Sequence, residues 1–253
     1  MNTGIFSKVT APITHRWWRS ITNRIGMGGS PRVPAVAKNK DCARFEVDGW
    51  ALSEFVLTKI VPVAGVHPFP LQELMLMVSA VSRLRPPLIF EWGTNIGKSA
   101  RIFYETCRHF RIPCQIHSVD LPDDEEHVEH PKEKRGYLVR GLSMVSLHQG
   151  DGLDVSLRLW QESGMPPSPL FFIDGDHSHE SVSREITGIV HAIPQAALLL
   201  HDTFYQSSES GYNVGPYNAV VEAVSQGGGR YEVIHSGLSL PGMTLLVPKP
   251  YDT

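Results

Sequence analysis

Cysteine is scarce: Cys42, Cys107 and Cys114 are the only three in 253 residues. The count is odd and no two are spaced as a pair, which excludes a disulfide framework and a zinc-ligand set. Cys107 falls on the apolar face of an expected helix and reads as a small core hydrophobe. No apolar run approaches the ~20 residues of a membrane-spanning helix. The first residues show no apolar core of a secretion signal, so no transmembrane segment is expected and the cytoplasm is the expected location. No internal repeat is visible. Charged residues make up only 19%, with a net charge of −3, and give no general electrostatic reason to expect a nucleic-acid partner.

Hydrophobic residues make up 42% of the chain, ample for a buried core, and the length suits one large α/β domain. The charge is unevenly spread. Residues 1–40 carry seven basic residues (Lys8, Arg16, Arg19, Arg24, Arg32, Lys38, Lys40) and no acidic one, which leaves 16 basic against 26 acidic residues in the remainder. This basic arm includes a helix candidate around Ile13 to Ile25, with Trp17 and Trp18, and a Gly/Pro-rich linker at 26–40.

From about residue 70 the pattern is regular. Leu71, Leu74, Val78, Val81 and Leu84 recur at helical steps until Pro86 and Pro87. Strand and helix candidates then alternate: strands at 88–91, 115–121, 145–150, 170–174 and 196–201, with helical stripes led by Ile96, Leu153 and Val182. Residues 122–140 are charged and irregular and read as an exposed insertion. Two last runs, 231–235 and 243–247, are joined too closely for a crossover and so must pair antiparallel. The expected fold is a doubly wound, mostly parallel α/β sheet of seven strands closed by a C-terminal antiparallel hairpin.

In such sheets ligands sit beyond the carboxyl ends of the strands. The first strand ends Glu91-Trp92-Gly93-Thr94-Asn95-Ile96-Gly97-Lys98-Ser99, where two glycines permit a tight turn close to a ligand. The second ends at Asp120, which is able to bind ribose hydroxyls or to cap a helix. The third ends at Gly150-Asp151-Gly152, where Asp151 either meets an adenine or caps the following helix. The fourth and fifth end at Asp174-Gly175-Asp176-His177-Ser178-His179 and at His201-Asp202-Thr203. Carboxylates and histidines beside an apolar core are costly unless paired, metal-bound or solvated in a cleft.

The successive signatures FEWGTNIGKSA, HSVDL, HQGDGL, FFIDGDHSHESV and LLLHDTF resemble class I S-adenosylmethionine (SAM)-dependent methyltransferases. The nearest subgroup holds cephalosporin hydroxylase-like proteins and macrolide-sugar O-methyltransferases, and the resemblance spans about residues 70–250. It implies a methyltransferase domain at 41–253 behind the arm and linker at 1–40. It implies SAM bound by Glu91, Gly93, Thr94, Asn95, Gly97, Ser99, Asp120, Asp151, Gly152 and Asp174. It further implies His177 as general base, with Asp174 and His201 in catalysis. In metal-dependent members the matching positions hold magnesium, which implies Asp174, His201 and Asp202. His201 stands where those members carry Asp, Glu or Asn, and imidazole suits a softer divalent cation better than magnesium.

The loop at 204–217 (Phe204, Tyr205, Tyr212, Asn213, Tyr217) is the expected cover for an acceptor such as a sugar or polyhydroxylated natural product, a metabolite of biosynthesis. A homo-oligomer is left open. Competing readings are a nicotinamide-dependent oxidoreductase, which lacks its glycine fingerprint here, and a metal-dependent hydrolase using Asp174, Asp176, His177, His201 and Asp202. A non-catalytic SAM-binding module is a third.

Overall fold

A computed structural model describes residues 45–125, 131–209 and 212–249. The basic arm, its helix candidate and Cys42 lie outside the described residues, as do residues 126–130 of the 122–140 segment.

Regular structure begins before residue 70. Helix α1 (Gly49–Phe55) is capped by Asp48, whose carboxylate accepts the Ala51 N–H at 3.1 Å. It runs through a π-helical turn (Val56–Ile60) into α2 (Val61–Ala64). Leu52, Phe55, Val56, Ile60 and Ala64 are buried along one face, a stripe that the sequence reading passed over. Helix α3 (Leu71–Leu84) follows, and the chain then alternates β1 (Leu88–Trp92), α4 (Lys98–His109), β2 (Gln115–Asp120), β3 (Val145–Gln149), α5 (Gly152–Glu162), β4 (Leu170–Ile173), α6 (His179–Ala192) and β5 (Ala197–His201). Helix α7 (Gly215–Gln226) and the strands β6 (Tyr231–His235) and β7 (Met243–Pro248) complete it. Cys107 is fully buried on α4, as expected.

The seven strands order as β3-β2-β1-β4-β5-β7-β6, and β7 alone runs opposite to the other six. The hairpin returns so that β7 inserts between β5 and β6. Side chains alternate across the sheet as a pleated strand requires. Ile89, Ile116, Phe172 and Leu199 pack with α1–α4 on one face. Phe90, Phe171, Leu198 and Leu200 pack with α5–α7 on the other. Burial on both faces accounts for the nearly all-apolar β1, β4 and β5.

Chain order reverses between β1 and β4, so a ligand crevice is expected beyond their carboxyl ends. Two expectations about the surroundings change. The 122–140 segment is not simply an exposed insertion: Arg135 and Val139 are buried, and the N–H groups of Gly136 and Leu138 donate to the carbonyls of Asn95 and Ile96 at 2.8 and 3.0 Å. This stretch backs the turn after β1. The 204–217 loop is shorter than expected, because α7 begins at Gly215.

Candidate active site

The β1 turn is built for close approach. Gly93 lies at φ +86°, and a Cβ there would stand 2.2 Å from the carbonyl oxygen of Asp174. Only glycine fits, because the position is both left-handed and in contact with the end of β4. The turn at the end of β1 therefore abuts the end of β4. Gly97, at φ +90°, packs against Val139 and Gly136 before α4 starts.

Glu91 is fully buried. It accepts a hydrogen bond from Ser118, whose oxygen lies 2.5 Å from Thr94 Oγ1. Its second oxygen, Oε2, has no hydrogen-bond partner among the described residues. Burial raises the Glu91 carboxyl to about 7 even though Ser118 and Ser99 favour its ionised form. Ser99, also buried, starts α4.

Asp120 ends β2 beside this turn. Its oxygens accept the N–H groups of Asn95 (3.1 Å) and Leu121 (2.9 Å), and Arg135 Nε approaches at 3.3 Å. The Arg135 guanidinium also meets Asp123 and the Leu121 carbonyl, so the second-strand loop is clamped. Asp151 caps α5 by accepting the Asp154 N–H at 3.0 Å and pairs with Arg184 at 2.6 Å. The capping alternative is therefore the one its hydrogen bonds match. Gly152 is required by Trp92: a Cβ there would meet the indole at 2.6 Å, and the indole N–H donates to Ser156 at 2.9 Å.

The ends of β4 and β5 form the second part of the site. His201 Nδ1 lies 2.8 Å from Asp174 Oδ1, and its Nε2 lies 3.1 Å from Glu73 Oε2. Burial opposes charge on this ring, but the facing carboxylates Asp174, Glu73 and Asp202 outweigh it and raise His201 to about 10. Burial would likewise raise Asp174, yet His201 and His177 hold it below the usual carboxylate range. Asp202, at φ +56°, is a non-glycine residue in left-handed backbone. Such strain persists where surrounding contacts fix it and is frequent at functional sites.

His177 faces the same carboxylates. Its Nε2 stands 3.2 Å from Asp202 Oδ2 and 3.8 Å from Asp174 Oδ1. Asp174 and Asp202 raise it above its ordinary value against burial. Asn213 acts in the opposite sense. Its Nδ2 is 2.9 Å from Asp202 Oδ2 and 2.8 Å from His177 Nδ1. An ionised Asp202 only accepts, so the amide must present its N–H groups to both. Nδ1 of His177 is then an acceptor, and the ring proton sits on Nε2, toward the carboxylates. Tyr212 donates its hydroxyl to Asp202 Oδ1 at 2.8 Å.

Three groups in this site escaped the sequence reading. Glu73 lies in the first turn of α3 and is fully buried. Gly242, on the β6–β7 hairpin, donates its N–H to Glu73 Oε1 at 2.8 Å and accepts the Thr203 N–H at 3.1 Å. Gly215 opens α7 against the His177–His179 backbone, where a Cβ would approach the His177 carbonyl to 2.3 Å. The available signals were a lone Glu in an apolar helical stripe and a glycine before Pro216.

The fold thus brings Glu91, Gly93, Thr94, Asn95, Gly97, Ser99 and Asp120 together around one turn, and Asp174, His177, His201 and Asp202 into one cluster. Asp151 and Gly152 stand at the end of the neighbouring β3. A family model described as a methyltransferase domain matches residues 90–203. No curated protein sequence matches the chain. Among solved structures, the fold is similar to that of an O-methyltransferase from Bacillus cereus in complex with SAH, at 15% identity and a TM-score of 0.52, covering 85% of this chain and 94% of that one. It is similar to the O-methyltransferase NovP at 12% identity and a TM-score of 0.51, covering 72% and 81%. It is also similar to CalS11, a TDP-rhamnose 3'-O-methyltransferase of calicheamicin biosynthesis, at 14% identity and a TM-score of 0.50, covering 77% and 85%. At these identities the likeness is one of fold.

Proposed function

The chain belongs to the class I SAM-dependent methyltransferases, and from that premise we propose that it methylates a hydroxyl oxygen of a sugar or polyhydroxylated natural product, with His177 as the general base. The observation that carries this reading is the contact between the Gly93 turn and the Asp174 carbonyl. It supports a methyl-donor site beside the histidine–carboxylate cluster.

Glu91, with Oε2 unpartnered and its carboxyl near neutrality, suits the ammonium of the methionine moiety. Binding that cation would favour the ionised carboxylate. Asp120 is assigned to the ribose hydroxyls. Asp151 and Gly152 are assigned to the adenine side, Asp151 with its helix cap retained.

SAM is already activated, so the protein supplies alignment and a deprotonated acceptor. The acceptor hydroxyl takes the place of the Asn213 amide at Nδ1 of His177. As the acceptor oxygen bonds to the methyl carbon, the carbon–sulfur bond breaks and the hydroxyl proton passes to Nδ1. The resulting imidazolium keeps its Nε2–H toward Asp202 and Asp174, which stabilise its charge. Tyr205 is 62% exposed and lies edge-on to Tyr217 with ring centroids 5.2 Å apart, offering apolar faces beside polar groups, as a sugar requires.

A divalent cation fits the donor set. Asp174, His201 and Asp202 each offer one ligand atom, all within 4.8 Å of one another. Imidazole among the donors favours a manganese-like ion over magnesium. Bound there, such an ion would lower the pKa of the acceptor hydroxyl. Asp174, His201 and Asp202 would hold it, while His177 remains the proton acceptor.

The test is direct. The protein is titrated with SAM and with NAD, then incubated with methyl-labelled SAM and a panel of nucleotide sugars and polyhydroxylated aromatics. SAM binding and label in an ether linkage are the expected results. Binding of NAD without SAM would end this reading.

A further inference from the structure

Glu73 does more than fill a helix. Its carboxylate is fully buried, and Leu74, Leu76 and Met77 follow it in α3 as buried apolar residues. A buried carboxylate is costly unless each oxygen is engaged. Both are: Oε1 accepts the Gly242 N–H at 2.8 Å, and Oε2 meets His201 Nε2 at 3.1 Å. Phe69 closes another side of the imidazole edge-on, with centroids 5.0 Å apart. The His201 ring is therefore oriented from outside the stretch at 90–203 that carries the methyltransferase-domain match.

We propose that Glu73 is a positioning residue that holds the Nε2–H of His201, so that a divalent cation takes the place of the Nδ1 proton now facing Asp174 and finds Nδ1 as its ligand atom. This rests on the cation reading given above. A histidine that binds a metal through one nitrogen commonly donates its other N–H to a carboxylate, and losing that partner lowers metal affinity about 10–100-fold. Glu73 also explains how a histidine can serve at a position where oxygen ligands are the rule.

Isosteric Glu73→Gln separates this role from a purely structural one. Its amide oxygen still accepts the Gly242 N–H, while its NH2 group faces His201. The imidazole must then accept at Nε2 and carry its proton on Nδ1, the atom that faces the cation.

The full-length protein and its variants are titrated calorimetrically with Mn2+, with Mg2+ and, separately, with SAM. Mn2+ affinity is expected to fall at least about 10-fold in Glu73→Gln, with SAM affinity within about two-fold of wild type. In the double variant Glu73→Gln with His201→Asp, the new carboxylate accepts from the amide. Cation binding is expected to return, with preference shifted toward Mg2+. If Glu73→Gln binds Mn2+ as tightly as wild type, the positioning role is wrong and the cation reading stands. If the wild type takes up no Mn2+, both fall, while SAM binding still judges the methyltransferase reading. Should Glu73→Gln fold poorly, the double variant carries the test, and its failure to bind either cation overturns the proposal.

Discussion

The two halves of the strand edge solve the burial of carboxylates in opposite ways. On the β1–β2–β3 side they sit singly: Ser118 donates to Glu91, while Asp120 and Asp151 each take backbone N–H groups together with one guanidinium, Arg135 and Arg184. One oxygen of Glu91 has no hydrogen-bond partner among the described residues. On the β4–β5 side carboxylates and imidazoles alternate: Glu73, His201, Asp174, then His177, Asp202 and Asn213. Around Glu91 the first half is left short of positive charge, which suits a cationic cofactor. The second is paired more densely, although His177 Nε2 makes no hydrogen bond among the described residues, and a substrate reaching Nδ1 of that ring must displace Asn213. Buried networks of this kind are rigid when complete and costly when broken.

The largest expected effect lies in the second half. His177→Ala should cut turnover by about 10²–10⁴-fold, the usual contribution of a general base. SAM affinity should stay within about two-fold, because His177 pairs with Asp174 and Asp202 and not with Glu91 or Asp120. If SAM affinity collapsed along with turnover, the two halves would not be separable as described.

The junction between them comes next. Gly93→Ala places a methyl group 2.2 Å from the Asp174 carbonyl in left-handed backbone. Strain and overlap together should cost on the order of 3 kcal/mol. For a domain of this size that lowers the melting temperature by roughly 6–12 °C in a calorimetric scan. An unchanged melting temperature would mean that the β1 and β4 ends are further apart than described.

In the first half, Asp120→Ala should weaken SAM binding by about 10-fold or more, the worth of a hydrogen bond to a charged group. The Arg135 clamp makes this a demanding test. If Arg135 and the backbone N–H groups already use all of the Asp120 carboxylate, titration will show SAM binding undiminished, and the ribose assignment fails.

The halves also differ in how legible they were. Strand positions could be read because β1, β4 and β5 are buried on both faces and carry apolar runs ended by polar residues. The turn after β1 and the end of β2 could be located for the same reason, since a turn and a strand end are local in sequence. Strand order was not, because placing β7 between β5 and β6 depends on packing 40 and more residues apart. The partners of the second half were hidden in the same way. Glu73 is 128 residues from His201 and 169 from Gly242. A single acidic residue in a helical stripe has no local signature. Arg135 and Val139 were misread because charge around them looked like a solvated loop, whereas the loop folds its end back onto the Asn95–Gly97 turn. Helix α1 was missed although its 3–4 spacing is clear, because attention began where the stripe is longer.

The smallest expected effect contrasts the histidines of the two halves. Those facing carboxylates are pushed up, whereas His117 and His148, side by side on β2 and β3 with ring nitrogens 3.1 Å apart, are pushed down, His148 despite the Glu162 carboxylate in reach of its charge. Burial, then the neighbouring His148, pushes His117 down to about 4; burial also lowers His148. A histidine depressed in the folded state stays neutral while its unfolded counterpart, near 6.5, takes up a proton. Stability is therefore retained above about pH 6.5 and lost as the pH falls from there toward 4. His117→Phe keeps a ring against Phe90, where the centroids are 5.3 Å apart, and removes the titrating group. Its melting temperature should fall less steeply than that of wild type over that window, by a few degrees at the acid end, with the two curves parallel above pH 7. Curves that stay parallel down to pH 4 would show that His117 is not held neutral, and the contrast between the two sets of histidines would not stand.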